Sequence, residues 1–335
     1  MDVIRASNAS DFLGLVPALL GFTPTRSIVA IPFEGNRTIG AARFDLNPAH
    51  DPSEIASTVV GIICRVEAAD GLAVVIYTDD DGDTCRGLTP TLLARANECG
   101  LNVKDALYVA QNGWGGLLTD EEPRPLAEIN ASLAEGHPSA GDQHSGAEIP
   151  APDPARLDAI AAAFEDFGLG DVADADWNAL AEVAVTSPAE EIDASDAVHL
   201  IFALSRPALR DITLVQWASD VAGGERAARA QADWERGQEY PADIASIMWG
   251  EAPRPDAARL TAALATVRHL SALTPQPLRA GLLASAAWLS WALGRSTHAA
   301  DYAHQALTAE QGHGLAEIVT SYTDAGFLPS WAFEA

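Results

Sequence analysis

The chain has 335 residues, 48% of them hydrophobic and 20% charged, which excludes a disordered protein and allows two domains with cores of their own. With 47 acidic against 20 basic residues the net charge is -27, a field that repels nucleic-acid phosphates and anionic membrane surfaces. Lys104 is the only lysine and the arginines are scattered, so no basic patch offsets that field and neither nucleic acid nor membrane is an expected partner.

The opening residues MDVIRASNASDF lack a basic segment followed by an apolar one, so no signal peptide is expected. No apolar run reaches the roughly 18 residues of a spanning helix. Cys64, Cys85 and Cys99 contain no CxxC pair and read as reduced thiols, hence as a cytoplasmic protein.

In chain order, Ser10 is placed to cap a helix carrying Phe12, Leu13, Val16, Leu19 and Leu20. Pro17 inside it predicts a kink or two short helices, and the Gly21–Pro24 turn ends it. Residues 27–33 and 38–46 form β-rich runs around the turn Glu34-Gly35-Asn36 and predict an antiparallel hairpin. Ser53 would cap a helix reaching to about residue 69, with Ile55, Val59, Ile62, Ile63 and Val66 on one face. The run Leu72, Val74, Val75, Ile76 has no polar alternation and predicts a strand buried on both faces. A helix with Pro90 near its start runs to Gly100. Strand 106–111 follows, then the hairpin signal Asn112-Gly113 and a return at 114–118. Alternating helices and strands of this kind predict an α/β domain with a mixed sheet and flanking helices over residues 1–135.

Residues 136–154, rich in Gly, Pro, Ser and His, read as a linker. Beyond it strand signals nearly stop. Helices are expected at 156–167, 177–185, 197–204, 208–221, 227–234, 244–249, 257–273, 278–293, 297–309 and 315–325, so residues 155–335 form an all-α domain. Pro207, Pro241, Pro255 and Pro277 stand near helix starts, and Gly250, Gly294 and Gly326 at helix ends. Trp288 to Gly294 followed by Ala299, Ala303 and Ala306 looks like a tetratricopeptide-like helical hairpin, closed by Phe327 and Trp331. One well-matched unit leaves a compact bundle as open as a solenoid.

Asp11-Phe12-Leu13 through Val16-Pro17-Ala18-Leu19-Leu20-Gly21-Phe22-Thr23-Pro24, with Ser27-Ile28-Val29, resembles the opening of an actinobacterial domain-of-unknown-function family, number 4192. Ala287-Trp288-Leu289, Gly294, Ala306-Leu307 and Ala325-Gly326 are similar to its closing helices, so the resemblance spans nearly the whole chain. It implies a cytosolic protein and no established activity. Members carry a cysteine-rich segment after the tryptophan hairpin; residues 119–125 (TDEEPRP) contain none, which removes support for a metal site there.

The candidate chemistry is acidic. Asp79, Asp81 and Asp83 crowd Gly82 at the C-terminal end of the central strand, the end where α/β sheets bind ligands, and Asp45 closes the second strand. These four carboxylates could hold Mg²⁺ or Ca²⁺ through oxygen, by analogy with a ribonuclease-H-like nuclease, although the spacing is not that of a helix-loop-helix calcium site. The plainer reading is a solvated turn. GxSxG, HExxH and P-loop patterns are absent, and the helical tryptophans, Trp177, Trp217, Trp234, Trp249, Trp288 and Trp291, read as core. Two functions remain. One is a protein-interaction or scaffolding module working through the helical domain. The other is a metal-dependent enzyme or small-ligand sensor at the acidic turn. The sequence leaves the oligomeric state open.

Overall fold

A strand without polar alternation needs apolar cover on both sides, and β4 (Gly71–Tyr77) has it: every residue is buried. In the computed structural model, which describes residues 4–47, 51–134 and 141–333, Leu72, Val74 and Ile76 face one core while Ala73, Val75 and Tyr77 face another. On one side β4 pairs antiparallel with β1 (Ser27–Glu34). On the other it pairs parallel with β5 (Asn102–Ala110), which turns at Gly113 into antiparallel β6 (Gly113–Gly116). The far edge of β1 carries β2 (Arg37–Thr38) and β3 (Ala42–Asp45), both antiparallel. The result is the expected mixed sheet, in the order β2-β1-β4-β5-β6.

Three helices cover it. α1 (Ala9–Leu20) packs Leu13 and Val16 on the face of Val29, Val75, Leu107 and Trp114. α2 (Pro52–Ile63) and α3 (Thr89–Glu98) pack Val59, Val60, Ile63, Leu92 and Ala96 on the opposite face. α1 is a single helix despite Pro17 and ends at Gly21, whose φ of 82° suits glycine.

Several local expectations are corrected. The caps are Asn8 and Asp51, two residues before Ser10 and Ser53, because Asn and Asp side chains accept the orphan N–H groups equally well. The Ser10 hydroxyl instead donates to the Glu128 carbonyl. The strand expected at 38–46 is split into β2 and β3. Its pairing slips by one residue opposite Pro32, which has no N–H to give to the ladder. α2 stops at Ile63 and not near 69; tighter turns follow, with Arg65 N–H on Ile62 O and Val66 N–H on Ile63 O. The reading of three reduced thiols fails for two of them. Cys64 and Cys99, 35 residues apart, form a disulfide, because α2 and α3 lie side by side and bring their C-terminal ends together. Cys85 is free and buried.

The contacts divide the chain into two units, Met1–Gly146 and Ala147–Glu334. Part of the expected linker belongs to each. Gln143 accepts from Thr25 N–H at 3.0 Å in the first unit, and Ala147 is buried in the core of the second. Residues 136–140 of that linker lie outside the described residues.

The second unit is helical, as predicted, with no strand among its described residues. Its helices are α4 (Pro154–Asp166), α5 (Leu169–Asp174), α6 (Trp177–Thr186), α7 (Ala194–Leu204), α8 (Pro207–Ala218), α9 (Val221–Glu235) and α10 (Ala242–Met248). They continue with α11 (Ala257–Leu273), α12 (Gln276–Ala292), α13 (Ser296–Ala309) and α14 (Gly314–Asp324). Only α5, six residues long, was unforeseen, being too short for a periodic signal. α12 is buried along nearly its whole length, and its Gly281 lies directly against the Leu204 carbonyl at the end of α7. Trp217, Trp288, Trp291 and Trp331 fill the core, and each indole N–H donates to a backbone carbonyl: Ala181, Met248, Phe327 and Ala292 respectively. That arrangement satisfies the polar end of a buried indole. As expected, Phe327 and Trp331 close the end of the unit against Trp291.

Candidate functional site

β3 and β4 deliver the predicted carboxylates to the same edge of the sheet. Ser27 of β1 lies opposite Asp45 on one side and Tyr77 on the other, so Asp45 stands two strand spacings, roughly 10 Å, from the end of β4. Asp79, Asp81 and Asp83 follow β4 in one loop. All four carboxylates are exposed, and three are engaged by arginines. The buried Arg43 donates from Nη2 to Asp45 Oδ1 at 2.6 Å and from Nε to Ser27 Oγ at 2.7 Å. Arg26 Nε lies 3.7 Å from Asp79. Arg86 Nε donates to Asp83 Oδ1 at 3.1 Å, and its Nη1 reaches Asp120. Asp81 sits at the head of a short 3₁₀ helix, Gly82–Gly87, with no cap bond from its side chain. Among the described residues no three His, Cys, Asp or Glu side chains gather closely enough to hold a metal ion.

Gly82 has a use different from the one its acidic neighbours suggest. A Cβ there would lie 2.1 Å from the Tyr108 ring, and one at Gly115 would lie 2.7 Å from the Tyr108 hydroxyl. The two glycines leave a slot that seats this buried ring. Burial raises the phenol pKa of Tyr108 and Tyr77 and pushes the Cys85 thiol up to about 11. The thiolate is the nucleophilic form, so burial disfavours reaction at Cys85.

The second unit holds a charged cluster that no sequence pattern announced, because His313, 103 residues beyond Arg210, joins it and Asp211. Arg210, buried in α8, donates from Nε to Asp211 Oδ1 at 2.9 Å, and its Nη1 lies 3.5 Å from His313 Nε2. His313 in turn caps α14, accepting from Ala316 N–H through Nδ1. Burial first, then Arg210, lowers the His313 pKa; burial raises that of Asp211. The cluster ties α8 to the start of α14.

Trp234 and Trp249 depart from the core role expected of them: they are 56% and 58% exposed. Trp234 continues the stripe of Ala227 and Ala230 along α9 into a last turn where every residue is exposed, and Trp249 closes α10. Both helices pack on α8, and Arg226 and Asp243 link them at 3.6 Å. The helical tryptophans look alike in the sequence; only the polarity around Trp234 (Asp233, Glu235, Arg236) could have marked one as external.

A family model described as "Domain of unknown function (DUF4192)" matches residues 10–330. No curated protein and no solved structure matches the chain.

Proposed function

Because the chain belongs to the domain-of-unknown-function family 4192, whose description assigns no chemistry, we propose from its surface that it is a protein-interaction or scaffolding module working through the helical unit. The observation that carries this reading is the pair of exposed tryptophans, Trp234 and Trp249. Tryptophan leaves a large apolar area in water, and it is among the residues most enriched at the energetic centres of protein interfaces. α12 and α13, joined at Gly294 and in contact through Ala299, Ala303 and Ala306, form a tetratricopeptide-like hairpin in the same unit. No described helix is long and apolar enough to cross a membrane.

The test is an affinity capture with full-length protein and with a Trp234→Ser/Trp249→Ser variant. The substitutions are exposed, so the circular dichroism spectrum is expected to be unchanged and the unfolding free energy to stay within about 0.5 kcal/mol of wild type. A specific partner is expected with wild type, with binding weakened at least tenfold in the variant, as loss of interface tryptophans implies. Equal capture by both proteins defeats the reading.

A metal-dependent enzyme or ligand sensor at Asp45, Asp79, Asp81 and Asp83 makes a different forecast. On that reading, millimolar Mg²⁺ or Ca²⁺ raises the melting temperature and Asp79→Asn removes the effect. Three of the four carboxylates already face arginines, so no shift is expected. A cation-dependent shift that Asp79→Asn abolishes would replace the interaction reading.

A further inference from the structure

We propose that Cys64 and Cys99 are a reversible thiol–disulfide couple that sets how firmly α2 and α3 are held on the sheet. Cys64 closes the C-terminal end of α2 and Cys99 that of α3, and both residues are exposed. Exposed disulfides are the ones external thiols reach. The two helices have their own apolar contacts, through Val59, Val60 and Ile63 and through Leu92 and Ala96. The packing beneath the bridge is therefore complete without it, and both redox forms keep the fold. The chain between the two cysteines contains the whole of β4, so opening the bridge releases a loop of 35 residues around the central strand. A small apolar cavity lies under α3, lined by Leu72, Val74, Leu92, Ala96, Val103 and Leu117; its helical wall is the element the bridge restrains.

Neither cysteine is placed to start the exchange. Each sits at a helix C-terminus, where the carbonyl ends of the helix disfavour a thiolate. The attacking thiolate comes from a low-molecular-weight thiol. It bonds to one sulfur and expels the other as a thiolate, which takes a proton. A second external thiolate then displaces the protein from the mixed disulfide. In sum, two external thiols become one disulfide and the protein gains two thiols, a transfer of two electrons and two protons. Cys85 takes no part, being buried with its thiol pushed up to about 11.

The test equilibrates the full chain in glutathione buffers of graded reduced-to-oxidised ratio, traps thiols by alkylation, and counts them by mass. Hydrogen exchange is then measured on both end states. Interconversion between one and three thiols per chain is expected, with the same midpoint from either direction and in Cys85→Ser. Exchange of amides in the last turns of α2 and α3 is expected to rise roughly 100-fold on reduction, and Cys64→Ser to match reduced wild type. Amides of the helical unit are expected to stay unchanged. A bridge that remains closed in excess reduced glutathione, thiols that never pair in the oxidised buffer, or equal exchange in the two forms would each overturn the proposal.

Discussion

Replacing Trp291 by alanine is expected to destabilise the helical unit by about 4 kcal/mol, the largest loss from any single side chain considered for this protein. Trp291 is fully buried. Its ring lies 4.8 Å from Tyr322 and within 6.3 Å of Trp288, Phe327 and Trp331, centroid to centroid. Alanine leaves a cavity that these rings cannot all collapse into, since Trp288 and Trp331 are held by hydrogen bonds to backbone carbonyls. It also strips the Phe327 carbonyl of its donor, now 2.8 Å away. Denaturant titration with hydrogen exchange on α12 and α14 measures the loss. Trp291→Phe keeps most of the volume and is expected to cost less than half as much. A loss below about 1 kcal/mol for alanine would mean that the aromatic closure is ornamental.

The second large effect concerns one methyl group. Gly281→Ala would place its Cβ 2.3 Å from the Leu204 carbonyl oxygen and 2.9 Å from Ser205 Cα. Both are backbone atoms, so α12 must move away from the end of α7. Overpacking of this kind costs about 3 kcal/mol, which outweighs the 0.5–1 kcal/mol that alanine gains over glycine inside a helix. The same change at Gly61, in α2, meets nothing within 4 Å and is expected to stabilise the first unit by roughly 0.5–1 kcal/mol. Opposite signs for one substitution at two helical glycines, read as shifts in denaturant midpoint, would confirm that contact and not propensity decides. Equal signs would refute it.

Local periodicity carried most of the architecture. The apolar run of β4 and the Asn112-Gly113 turn each specify their element within a short window. What stayed hidden depends on distance. Arg26 meets Asp79 only once β1 and β4 are paired, whereas Arg43 and Arg86 meet Asp45 and Asp83 two and three residues away. That pairing makes the acidic edge a set of exposed ion pairs, a quality no count of aspartates conveys. Cys64 and Cys99 lack any recognisable spacing because the packing of α2 on α3 brings them together. The tryptophans share a composition signal but separate by position along the fold: Trp217 and Trp291 are buried, while Trp234 stands in the exposed last turn of α9. The split of the second strand was legible in principle, since Pro32 in the partner withholds an N–H.

The slot that receives Tyr108 binds three distant positions to one another's fate. A side chain acquired at 82 or 115 would have to be answered by a smaller ring at 108, so these sites are free to drift only in concert. In the acidic loop the exposed aspartates bear on nothing packed, while the glycine in their midst is tied to the phenol it shelters.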